Sequence, residues 1–159
     1  MTDRNATPTA EHELVLTRLL DASAEKLYRC WTEPALLKQW FVPKPYTISS
    51  VELDLRPGGA SNIVMRSPEG RDIPNPGVYL EIVPNRKLVF SDAFGPGWVP
   101  AGQPFMVAQV TFEPEGTKTR YIAHARHWTA EAKAQHEAMG FHQGWSTCAD
   151  QLEALAKTL

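Results

Sequence analysis

Gly144-Trp145-Ser146-Thr147-Cys148-Ala149-Asp150-Gln151-Leu152-Glu153-Ala154-Leu155-Ala156-Lys157-Thr158-Leu159 closes the chain, and its apolar positions decide the fold. From Phe141 onward, Trp145, Cys148, Ala149, Leu152, Leu155, Ala156 and Leu159 follow i, i+3, i+4, i+7 spacing, which places them on one stripe of an α-helix. About 17 residues at about 1.5 Å each reach roughly 25 Å, enough to cross a small sheet. One face of this helix must therefore be buried against something of that width.

The segments before it supply the sheet. Tyr121, Ala123, Ala125 and His127 alternate with Arg120, His124, Arg126 and Trp128 over Thr117 to Trp128, and the first set is expected to face inward. Gly77 to Val83, Lys87 to Phe94 and Phe105 to Glu113 read as three further strands. Short turns such as Pro84-Asn85-Arg86 separate them, which argues for an antiparallel meander. Val51, Leu53 and Leu55 share one parity and Tyr46 and Ile48 the other, so a bulge near Ser49-Ser50 is predicted. Pro57-Gly58-Gly59 makes a turn, and Ile63 and Met65 carry the return strand of a hairpin.

Glu13 to Leu20 reads as the first strand. Ser23 is placed to cap a short helix over about 24 to 31, and Thr32 a second one that Pro43 and Pro45 end. Thr129 starts a helix that Gly140 terminates. The pattern predicts an α+β fold: an antiparallel sheet of about six or seven strands curled around the long C-terminal helix, with two short helices after the first strand. Residues 1–11 read as a flexible leader and 12–159 as a single domain.

Composition narrows the function. The formal charge of −2 in 159 residues lacks the basic excess that phosphate contacts demand, so no nucleic-acid partner is expected. No apolar run spans a bilayer and the polar start is unlike a signal peptide, so no membrane insertion and a cytoplasmic location are expected. Cys30 and Cys148 sit in apolar helical patterns, as buried thiols do. No nucleophile elbow, phosphate loop or dinucleotide fingerprint is present, and no cofactor is expected. His124, His127, His136 and His142 lack metal-ligand spacing, so no metal is expected.

Trp40-Phe41-Val42-Pro43, Arg56-Pro57-Gly58-Gly59, Gly77-Val78-Tyr79-Leu80-Glu81 and Gly144-Trp145, in that order, resemble the START-like helix-grip (SRPBCC) superfamily. Within it they resemble the branch of the heat-shock chaperone ATPase activator's C-terminal domain. The resemblance covers the chain from His12 onward. It implies a sheet wrapping a long C-terminal helix, and an apolar ligand site more firmly than a reaction. The Gly95 to Pro104 loop and the helix carrying His136 are more elaborate than the minimal family pattern.

A sheet curled around a helix tends to leave a cavity between them. Trp40, Phe90, Tyr121, Met139 and Trp145 are the candidates for apolar contact there, with Phe94 and Trp98 from the Gly/Pro-rich loop. Asp92, Tyr79 and His127 are the candidates for fixing a polar end. Binding of a small hydrophobic or aromatic molecule is the leading expectation. A cyclase- or hydrolase-type enzyme using Asp92 or Glu81 with His127 is the first alternative. A chaperone-cofactor-like module presenting Trp98 to a protein partner is the second. Exposed strand edges also permit a homodimer.

Overall fold

The computed structural model describes residues 12–159; the leader read over 1–11 lies outside the described residues. In chain order the elements are β1 (Glu13–Leu20), α1 (Ala24–Thr32), α2 (Pro34–Leu37), β2 (Thr47–Leu53), β3 (Ser61–Arg66), β4 (Asp72–Asn75), β5 (Val78–Val83) and β6 (Lys87–Ser91). They continue with β7 (Phe94–Gly95), β8 (Val99–Pro100), β9 (Val107–Glu115), β10 (Lys118–Arg126), α3 (Ala130–Ala138) and α4 (Phe141–Ala156).

Five strands form an antiparallel sheet in the order β1-β10-β9-β6-β5, and three more form β2-β3-β4. The bridge between Ala60 and Val78 joins the two pieces, while β7 and β8 pair only with each other. β4 is not among the expected strands; its Pro74 is accommodated opposite Val64 on an outer strand. The expected bulge is present, with the register shifting between Ile48 and Ser50. It turns Ile48 into a small cluster with Leu37, Val42 and Ile63.

Burial alternates along β10 as its pattern requires, with Tyr121, Ala123, Ala125 and His127 inside. The stripe of α4 meets that face: Ala149, Leu152 and Ala156 are fully buried, and Trp145, Cys148, Leu155 and Leu159 pack beside them. Two alanines on the stripe let the helix approach closely, and Phe112 and Tyr121 fill the remaining space.

Ser23 caps α1 by accepting from the Lys26 amide at 3.2 Å, and Thr129 caps α3 by accepting from Ala132 at 3.0 Å. Gly140 separates α3 from α4 with φ of 99°, a left-handed conformation that glycine adopts without strain. Thr32 departs from expectation. It ends α1, where its hydroxyl donates to the Tyr28 carbonyl at 2.8 Å, and Glu33 holds the cap position of α2.

Trp40 to Pro43 is a fastening. The Trp40 indole donates to the Cys30 carbonyl at 2.9 Å, and Gln151 on α4 donates to the carbonyls of Trp40 and Val42 at 2.9 and 2.8 Å. At the opposite edge, the Arg18 guanidinium ties β1 to α4 through Ser146 and Asp150.

Candidate functional site

The expected space directly beneath α4 is filled by side chains, and a cleft opens beside it, where the two sheet pieces meet. Ser61 and Ile63 of β3, Asn75, Pro76 and Gly77 before β5, Phe90, Ser91 and Asp92 at the end of β6, and Phe105, Met106 and Ala108 at the start of β9 line it. The cleft has a volume of about 50 Å³ and is partly open to solvent. Gly77 lets the walls approach, since a Cβ there would lie 2.6 Å from the Ser91 carbonyl oxygen.

A hairpin of residues 93–104 rises from the rim of the cleft, and its base is sewn shut. Both carboxylate oxygens of Asp92 accept from the Phe105 amide, at 2.9 and 3.0 Å, and one also accepts from Met106 at 3.2 Å. The Ser91 hydroxyl donates to the Met106 carbonyl at 2.9 Å and accepts from the Ala93 amide at 3.0 Å. At the tip, Trp98 adopts a positive φ of 63° and lays its indole over Gly58, where any added Cβ would sit 3.0 Å from the ring. Phe94 meets Trp98 edge-on at 5.6 Å.

Behind Phe105 lies a pair of buried imidazoles. His127 Nδ1 is 2.8 Å from the His12 carbonyl oxygen, which only accepts, so that nitrogen carries the proton. Nε2 of a neutral His127 therefore accepts from His136 Nδ1, 2.8 Å away. The Phe105 ring packs on both imidazoles, at 5.6 and 4.8 Å, and Phe141 covers His136 at 5.2 Å. Burial, reinforced by repulsion from the His127 ring whenever that ring also carries a proton on both nitrogens, pushes the His136 pKa down to about 4.

The unfolded chain, with an ordinary imidazole near 6.5, then takes up a proton that the folded chain refuses. Stability from this group is complete above pH 6.5 and falls as the pH drops toward 4. Urea unfolding at pH 7 and pH 4.5 checks this: His136→Gln, which keeps a donor but does not titrate, is expected to flatten the acid slope. Equal slopes in both proteins would contradict the assignment.

The family model described as Activator of Hsp90 ATPase homolog 1-like protein matches residues 21–157, from the turn before α1 through the end of α4. The chain belongs to that family. A solved protein from Nitrosomonas europaea is 44% identical with a TM-score of 0.91, over 94% of this chain and 96% of that one. A protein from Mycobacterium smegmatis shares the fold at 23% identity and TM-score 0.77, over 92% of this chain and 91% of that one. The AHSA1-like protein from Aeromonas hydrophila does so at 16% and 0.70, over 92% of each chain. Among curated proteins, none matches the chain. The helix-grip architecture expected from the resemblance is thereby shown, and among the described residues no helix is long and apolar enough to cross a membrane.

In this Hsp90-ATPase-activator-like chain the ten candidate residues do not converge on one place. Phe90 and Asp92 line the cleft. Trp40, Tyr79 and Tyr121 are core residues, each 3% exposed or less. The Tyr121 hydroxyl accepts from the Trp31 indole at 3.2 Å, and burial raises the pKa of Tyr79, whose hydroxyl bonds Ser61. Trp145 packs on Phe141, with ring centroids 5.6 Å apart.

Phe94 and Trp98 belong to the hairpin, and Met139 is 69% exposed at the end of α3, so it offers the expected cavity no wall. His127 reaches the cleft only through Phe105, since both its nitrogens are engaged. Glu81 points outward to Lys87 at 3.1 Å, away from His127. Arg56, beside the Pro57-Gly58-Gly59 turn, donates to the Asp54 carboxylate at 2.7 Å.

Sequence reasoning missed Ser61, Ile63, Asn75, Met106 and Ala108 as lining residues. Their common feature is position at strand ends that only the bridge between sheet pieces brings together. The small residues Ser61, Gly77 and Ala108 amid larger apolar neighbours were the available signal.

Proposed function

We propose that the chain binds a small, largely apolar molecule in the cleft between the two sheet pieces. The observation that carries this reading is the lining itself. Phe90, Phe105, Met106 and Ile63 supply apolar surface, and Ser91, Asp92 and Asn75 add a few polar groups. Small-molecule sites combine these features.

The enzyme alternative is less favoured, because Glu81 faces outward and the His127 nitrogens are already bonded, which leaves Asp92 as its one candidate group in the cleft. A protein-interaction role at the hairpin is the second reading. It is favoured by Trp98 and Val99, 49% and 61% exposed at a tip that contact with Gly58 holds in place.

A ligand at one hundred times its dissociation constant adds about 2.7 kcal/mol, or roughly 5–10 °C for a chain of this size. Ala108→Leu, which extends the floor into the cleft, is expected to abolish that shift, whereas Val15→Ser on the outer face should leave it intact. A ligand shift that survives Ala108→Leu unchanged would place binding elsewhere.

A further inference from the structure

We infer that the cleft selects a ligand whose polar end is a hydrogen-bond donor, foremost a cationic amine, and discriminates against carboxylates such as fatty acids. This deepens the proposed binding role and rests on it. Among the residues that line the cleft, Asp92 is the one ionisable side chain. Its described partners are two backbone amides, and among the described residues no Lys, Arg or His lies within ion-pair distance of it.

Neutral amide dipoles orient the carboxylate without cancelling its charge, so the cleft presents net negative charge to whatever enters. A carboxylate holds about four lone-pair sites. Phe105 and Met106 account for two contacts on one oxygen, and the other oxygen only shares the Phe105 amide. That second oxygen keeps accepting capacity. The neighbouring Ser91 hydroxyl has its proton committed to the Met106 carbonyl, so it offers an incoming anion no donor. Phe90 and Phe105 line the same cleft and suit a single aromatic ring behind the donor.

The test uses three molecules of matched shape: 2-phenylethylamine, 2-phenylethanol and 3-phenylpropionate, titrated calorimetrically into the full chain at pH 7. The amine is expected to bind roughly tenfold tighter than the alcohol or better. The propionate should be weakest, and the amine's advantage should shrink with added salt. Asp92→Asn should bring the amine down to the level of the alcohol.

If the propionate binds as tightly as the amine, or the amine's preference persists in Asp92→Asn, the donor rule is overturned while the binding role stands. If none of the three binds, both fall. Should Asp92→Asn disturb the hairpin, seen as lost near-UV circular dichroism, the wild-type order and its salt dependence decide alone.

Discussion

Trp40→Ala is expected to cost about 3–5 kcal/mol of stability, against less than about 1.5 kcal/mol for Trp98→Ala. Trp40 is 2% exposed and meets Trp31 and Phe41 edge-on at 5.0 and 5.4 Å. Its removal opens a cavity where α1, the end of α2 and α4 come together, and it orphans the Cys30 carbonyl that its indole satisfies. The Gln151 bonds to the carbonyls of Trp40 and Val42 then lose the packing that positions them. Trp98 is half exposed and leaves mostly solvent behind. Denaturant unfolding of both variants decides the matter: a loss under about 1.5 kcal/mol for Trp40→Ala would mean that the Trp40 to Pro43 segment does not fasten the fold.

Gly59→Ala is expected to destabilise by roughly 2–4 kcal/mol, although it adds one methyl group. A Cβ at Gly59 would sit 2.1 Å from the Asp54 carbonyl oxygen, a backbone atom that cannot swing aside. Relief requires moving the turn, and the turn is paired on both sides: Gly58 donates to the Tyr79 carbonyl at 2.8 Å, and Tyr79 donates back to Gly59 at 3.0 Å. Those bonds hold the two sheet pieces together beside the cleft. Gly70 is the control. It has φ of 89° but nothing near its missing Cβ, so Gly70→Ala should carry only the left-handed backbone cost of about 1–2 kcal/mol. Thermal unfolding of both variants checks the difference, and equal losses would contradict it.

These two effects differ in how far the sequence foretells them. The α4 stripe, the alternation of β10 and the bulge in β2 are local periodicities, each visible within about a dozen residues, and each holds in the structure. That Trp40 lies in the core, and that Gly59 is irreplaceable by space rather than by φ, depends on contacts with residues remote in the chain. The cleft is the extreme case. Phe90 and Asp92 stand out within one strand, as an aromatic ring and a carboxylate, but Ser61, Asn75 and Met106 meet them only because the hairpin base and the Ala60–Val78 bridge fold three distant segments together. Asp92 also illustrates how one carboxylate serves two ends: it lines the cleft, and its hydrogen bonds fasten the hairpin.

The most direct measurement is a ¹⁵N–¹H correlation spectrum of the labelled chain, titrated with 2-phenylethylamine. Saturable shifts confined to the amides of Ser61, Gly77, Phe90, Asp92, Phe105 and Ala108 are the predicted result. Shifts centred on Trp98 and Val99, or on Leu152 and Tyr121 beneath α4, with the cleft amides unmoved, would contradict the account.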